Sequence, residues 1–103
     1  MKVEWSPLAE RRAREIAGYI AEHNISAARR WLRRLLAAVA RLDRFPRRGK
    51  RLPLFKRIEI RQVWVGMYRV IYLVEADRVT VLTVRHGMRR ESRRELRTSK
   101  RRR

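Results

Sequence analysis

The chain has 103 residues, with 29 Lys+Arg against 10 Asp+Glu, a formal net charge of +19 and no cysteine. That length predicts one domain with a usable core, and a 45% hydrophobic content is too high for a purely disordered basic tail. The missing cysteines exclude disulfide frameworks, zinc-thiolate sites and cysteine nucleophiles, and no apolar run approaches the roughly 20 residues of a membrane span.

Lys2-Val3-Glu4-Trp5 alternates polar and apolar residues like a short strand. The start Met1-Lys2-Val3-Glu4-Trp5 has no apolar segment of the signal-peptide kind, so the expectation is a soluble, cytoplasmic domain with no membrane partner. Ser6-Pro7 then opens a helix: the hydroxyl caps free amides, and proline suits the first helical position. Leu8, Ala13, Ile16, Ala17 and Ile20 follow at helical spacing to about His23. Asn24 and Ser26 break and restart the chain. A second helix carries the stripe Ala28, Trp31, Leu32, Leu35, Leu36, Val39 and Leu42, at steps of three and four. Two helices joined by a few polar residues fold back as an antiparallel hairpin.

Phe45-Pro46-Arg47-Arg48-Gly49 ends that helix and opens a basic loop reaching past Pro53. The period then changes. Ile58 to Val65, Tyr68 to Val74 and Arg78 to Val84 read as three strands, turned by Gly66-Met67 and Glu75-Ala76-Asp77. The middle one is apolar at nearly every position and is expected to be central. The apolar face of this antiparallel meander needs a cover, which the hairpin stripe supplies. The fold class is therefore α+β: an N-terminal strand at one sheet edge, and a helical hairpin on a three- to four-stranded antiparallel sheet. Residues 1–88 make the domain, and 89–103 a basic, mobile tail.

The charge is concentrated in two places. Residues 41–61 hold nine basic and two acidic side chains, and residues 86–103 hold nine and two again, each a balance of +7. Scattered arginines such as Arg11 and Arg78 read as solubilising surface, but blocks of like charge are often interaction segments. Their partners would be nucleic acid, an acidic protein, or both. The sequence shows no internal repeat, glycine-rich phosphate loop or metal-ligand spacing, so neither cofactor nor metal is expected.

Four motifs in this order carry a likeness to a known family: Trp5-Ser6-Pro7-Leu8-Ala9, Phe45-Pro46-Arg47-Arg48-Gly49, Tyr68-Arg69-Val70-Ile71-Tyr72 and Val84-Arg85-His86-Gly87. Together they resemble the RelE/ParE toxin superfamily of type II toxin–antitoxin systems, and the ParE branch more closely. The resemblance implies a small sheet packed on a helical hairpin, and a toxin neutralised by an antitoxin encoded beside it. Two activities occur on that fold. RelE-like members enter the ribosome and cut mRNA, whereas ParE-like members poison DNA gyrase, so the site must decide between them.

Cutting RNA by 2′-hydroxyl attack needs a base, an acid and cations around the phosphate, and arginine supplies only the cations. On the resemblance, Arg69 and Arg89 fall where RelE-like toxins contact phosphate. The RelE catalytic tyrosine would lie six residues beyond Arg89, where this chain has Glu95, and no tyrosine follows Tyr72. His86 would then be the acid or base, or else a residue that only fixes the turn before Gly87. Arg69 either reaches across the sheet to a carboxylate such as Glu59 or lines a binding surface. Tyr72 and Trp64 read as packing residues, Trp31 as core, and Tyr68 as packing or base stacking.

The expected function is thus a ParE-like toxin that inhibits gyrase by binding. Arg85, His86, Arg89, Arg90, Arg93 and Arg94 are the candidate target contacts. Arg47, Arg48, Arg61, Tyr68 and Arg69 are the candidate contacts for an acidic ParD-like or RelB-like antitoxin. The alternatives are a ribosome-dependent mRNA endonuclease using Arg69, His86 and Arg89, and a general basic nucleic-acid-binding protein.

Overall fold

A computed structural model describes residues 1–53 and 56–87. Strand β1 (Lys2–Trp5) leads into helix α1 (Pro7–His23), which is followed by α2 (Ile25–Ala40) and a single 3-10 turn over Arg41–Asp43. Strands β2 (Lys50–Leu52), β3 (Glu59–Val65), β4 (Tyr68–Val74) and β5 (Arg78–His86) complete the order. The expected tail over 89–103 lies outside the described residues. Among those described, no helix is long and apolar enough to cross a membrane.

The helix boundaries follow from their caps. The Ser6 hydroxyl accepts a hydrogen bond from the Ala9 amide at 3.0 Å and donates to the Leu82 carbonyl at 2.8 Å. One side chain therefore both starts α1 and ties it to β5. Asn24 alone forms the corner between the helices. Its amide donates to the Ile20 carbonyl at 3.0 Å, and its side-chain oxygen accepts from the Ala27 amide at 2.9 Å. A single residue thus satisfies backbone groups at two helix ends.

The hairpin lies on one face of the sheet. Ala28, Trp31, Leu35 and Val39 of α2 are buried with Ala9 and Ala13 of α1 against Val65, Val70, Val81 and Val84. Leu42, in the 3-10 turn, extends this layer with Tyr72, Val74 and Val79. Each fully buried aliphatic side chain contributes about 2 kcal/mol of transfer free energy. The stripe is narrower than its sequence pattern implied, because Leu36 is 57% exposed. It follows Leu35 by one residue, about 100° around the helix, and so turns off the buried line. Ile60, Ile71, Leu73 and Leu82 cluster on the other face of the sheet, edged by Leu52 and Ile58.

The sheet departs from the expectation of three or four antiparallel strands. It has five, in the order β1-β5-β4-β3-β2, and β1 pairs parallel to β5 from Lys2↔Arg78 to Trp5↔Val81. The whole helical hairpin and three strands intervene between β1 and β5, so no tight turn dictates their direction. The added strand, β2, lies in the segment expected to be loop. It is three residues long and mostly charged, a common form for an edge strand. β4 is central, as its near-continuous apolar run predicts. The β3–β4 turn uses Gly66 at φ 61°, while Met67 has negative φ. This is the glycine-first arrangement of a two-residue hairpin turn.

Candidate functional site

Strand alternation sorts the predicted site residues onto two faces. Tyr68 pairs with His86, and the next pair is Arg69 with Arg85. Successive side chains point to opposite faces, so Tyr68 and His86 share the helix side while Arg69 lies on the other. The Tyr68 ring stands edge-on between Trp31, with centroids 5.3 Å apart, and His86, at 5.4 Å. Burial raises the Tyr68 phenol above its ordinary pKa, and the neighbouring Tyr19 adds to the rise. The ring is held neutral and serves as a wall between core and surface.

That wall forms one side of a cleft of about 470 Å³. Val84, Arg85 and His86 of β5 border it, and Arg12, Glu15, Ile16 and Tyr19 of α1 close it from above. The α1 contribution was missed in the sequence. Its signal was present, because Arg12, Ile16 and Tyr19 recur at steps of four and three on one helix face. Arg12 and Glu15 approach within 3.8 Å on that face.

Arg69 is only 9% exposed, and its Nη1 donates to Gln62 Oε1 at 3.2 Å. It does not take Glu59 as its partner. Glu59 pairs with Val74, at the far end of β4 and on the opposite face. There it accepts from Arg47 Nε at 2.9 Å, Arg47 Nη2 at 3.0 Å and Arg61 Nε at 2.6 Å. Arg61 Nη1 also donates to the Gly49 carbonyl at 2.7 Å, and the Gly49 amide donates to the Tyr72 hydroxyl at 3.0 Å. This network fastens the basic loop to the sheet. Arg47 and Arg48 also line a second cleft of about 490 Å³ with Arg41, Phe45 and Pro46.

The five residues expected to bind an antitoxin are thus divided. Arg47, Arg48 and Arg61 gather at the loop end of the sheet. Tyr68 and Arg69 lie at the other end, about six residues or roughly 20 Å along the strands, on opposite faces. Of the target contacts, Arg85 and His86 border the cleft; Arg89, Arg90, Arg93 and Arg94 lie outside the described residues. Trp64 does not pack into the core as its sequence reading expected: it is 56% exposed, and its ring edge instead closes over Gly87, where an added Cβ would meet it.

Glu59 supplies a pH signature. Burial pushes its carboxyl up, but hydrogen bonds from Arg61 and then Arg47 more than reverse this, leaving it below the ordinary glutamate value of 4.5. A depressed folded-state pKa stabilises the fold above the unfolded value and is lost as pH falls through the folded one. Stability is expected to drop as pH falls below about 4.5, and Glu59→Gln should flatten that limb. Thermal midpoints of both proteins from pH 7 to pH 2 check this; parallel curves would contradict it.

A helical hairpin lies on a mixed five-stranded sheet, with a basic aromatic cleft at one end and an arginine-fastened loop at the other. A family model described as "ParE toxin of type II toxin-antitoxin system, parDE" matches residues 3–91. The chain therefore belongs to the ParE toxin family. Among solved structures, it resembles a chain of the chromosomal ParDE TA system from P. aeruginosa with a TM-score of 0.68. The two are 15% identical, and the match covers 84% of this chain and 95% of that one. At that identity the likeness concerns the fold. No curated protein matches the chain in sequence.

Proposed function

We propose that this protein is the toxin of a ParDE-type pair, that it inhibits DNA gyrase by binding rather than by cutting RNA, and that an acidic antitoxin neutralises it. The observation that carries the reading is the ParE family match over residues 3–91. The strand register supports binding over catalysis. Arg69 and the Tyr68–His86 pair belong to opposite faces of the sheet, so one of the two cations of the endonuclease alternative points away from its acid–base group; the other, Arg89, lies outside the described residues. Glu95, rather than a tyrosine, stands six residues beyond Arg89.

The net charge of +19 suits a surface that meets a protein–DNA complex and an acidic partner in turn, since such charge speeds encounter with anionic surfaces. The C-terminal block, +7 over residues 86–103, makes the gyrase contact on this reading. Inducing the protein in a bacterial host tests it in cells. Thymidine incorporation should stop before leucine incorporation does, and co-expression of the protein encoded beside it should restore growth. Leucine incorporation stopping first, with cleaved mRNA, would favour the ribosomal alternative.

A further inference from the structure

Main-chain hydrogen bonds gather Arg41, Phe45 and Arg48 where α2 runs out. The Phe45 amide donates to the Arg41 carbonyl at 3.0 Å, a step of four that sets both side chains on one face. The Arg48 amide then donates to the Phe45 carbonyl at 3.2 Å, closing a turn around Pro46 and Arg47. The cleft of about 490 Å³ lies among these residues. It is braced from behind: Glu59 holds Arg47 through Nε and Nη2, and the Gly49 amide is bonded to the buried Tyr72.

Two features of the lining are left unsatisfied within the fold. Phe45 is 55% exposed, and no aromatic ring among the described residues stacks on it. Arg41 and Arg48 are exposed, and among the described residues no carboxylate pairs with either. Asp43, the one acid between Ile25 and Arg48, does not line the cleft. An open aromatic ring thus stands between unneutralised guanidinium groups.

We infer that this cleft binds single-stranded DNA, with a base stacked on Phe45 and the flanking phosphates on Arg41 and Arg48. Every base has a face that stacks on an aromatic ring, and a basic border tracks the backbone. Duplex DNA keeps its bases stacked on each other and would use the arginines alone. RNA adds only 2′-hydroxyls, and no amide, hydroxyl or carboxylate side chain among the described lining residues engages them. An acidic peptide matches the charge but brings no broad planar face to the ring. The braced turn holds the ring and cations in place beforehand, which lowers the ordering cost of binding. Strand binding here does not depend on which target the toxin attacks.

The test uses the full chain and a labelled deoxythymidine oligonucleotide, followed by fluorescence anisotropy over a range of salt concentrations. Phe45→Ala should weaken binding about tenfold, the loss of one stacked base, with an unchanged thermal midpoint. The same variant should bind a duplex of equal length within threefold of the parent. Arg41→Ala with Arg48→Ala should lower the slope of log affinity against log salt by about 1.4, the share of two phosphates on a single strand. Arg29→Ala with Arg30→Ala, exposed on α2 and roughly 16 Å from Arg41, removes the same charge and should leave the slope unchanged. A 5-bromodeoxyuridine in the strand should crosslink to Phe45.

Unchanged binding by Phe45→Ala would overturn the inference. Equal slope changes for the two arginine pairs would overturn it in favour of diffuse charge attraction. Crosslinks confined to residues 88–103 would overturn it in favour of the C-terminal block. A Phe45-dependent loss seen with oligouridine or with oligoglutamate, but not with the deoxythymidine strand, would overturn it in favour of RNA or of an acidic protein.

Discussion

Gly49→Ala is expected to lower the unfolding free energy by about 3 kcal/mol and the thermal midpoint by on the order of 15 °C. A Cβ at this position would lie 2.5 Å from the Gln62 carbonyl oxygen and 2.6 Å from the Tyr72 hydroxyl. The first is main chain of β3, in the residue paired with Lys50, so relief there means pulling β2 away from the sheet. The second belongs to a fully buried ring with no room to retreat. Its hydroxyl also accepts the Gly49 amide, so retreat would cost that bond as well. Gly18 is the control: nothing stands within 4 Å of a Cβ built there. Gly18→Ala, within α1, should stabilise the helix by roughly 0.5–1 kcal/mol. Circular-dichroism melts of the two variants decide the matter, and a Gly49→Ala midpoint within 2 °C of the parent would contradict the close approach.

Deleting residues 90–103 is expected to abolish toxicity. The deletion removes eight basic and two acidic side chains, a net +6 of the chain's +19, from one contiguous block. Salt screens long-range attraction within about 10 Å at 0.1 M, so a tightly clustered block acts more effectively than the same charges scattered. Every helix and strand among the described residues ends by His86, so the truncated chain should keep that fold, with a cooperative thermal transition, and still bind the protein encoded beside it. Growth after induction reads the result, and full toxicity of the truncated protein would sink the assignment. Arg93→Glu with Arg94→Glu, in the full-length chain, gives the same test without shortening it, and should weaken growth arrest at least tenfold.

What the sequence made legible was whatever periodicity could carry. The 3–4 spacing of Trp31, Leu35 and Val39, and the hydroxyl–proline start at Ser6-Pro7, placed both helices to within a few residues. The continuous apolar run from Tyr68 to Val74 placed the central strand. Three residues are too few for a period, so Lys50–Leu52 read as loop. The direction of β1 was hidden because its partner lies some 76 residues away in the chain. Leu36 looked like core because binary pattern records hydrophobicity and not the one-residue turn from Leu35.

The site was less legible than the fold, for a related reason. Tyr68, Arg85 and His86 could be named from their motifs, but the cleft needs α1 above β5, and that juxtaposition is tertiary. The partner of Glu59 shows the same limit. Arg69 looked suitable because it sits in an apolar strand, yet the pleat puts it on the wrong face. Arg47 comes from a loop twelve residues away, where no spacing rule points to it. Arg61 was nearer to hand, two residues along the same strand and on the same face.

The central proposal, inhibition of gyrase by binding, is tested most directly with purified components. Relaxed plasmid, ATP and gyrase from a closely related host are incubated with increasing amounts of this protein, and the products are separated before and after denaturing the enzyme. The expected result is loss of supercoiling together with cleaved plasmid released on denaturation, both reversed by the protein encoded beside it. Undiminished supercoiling at a large molar excess, together with cleavage of mRNA on programmed ribosomes, would contradict it.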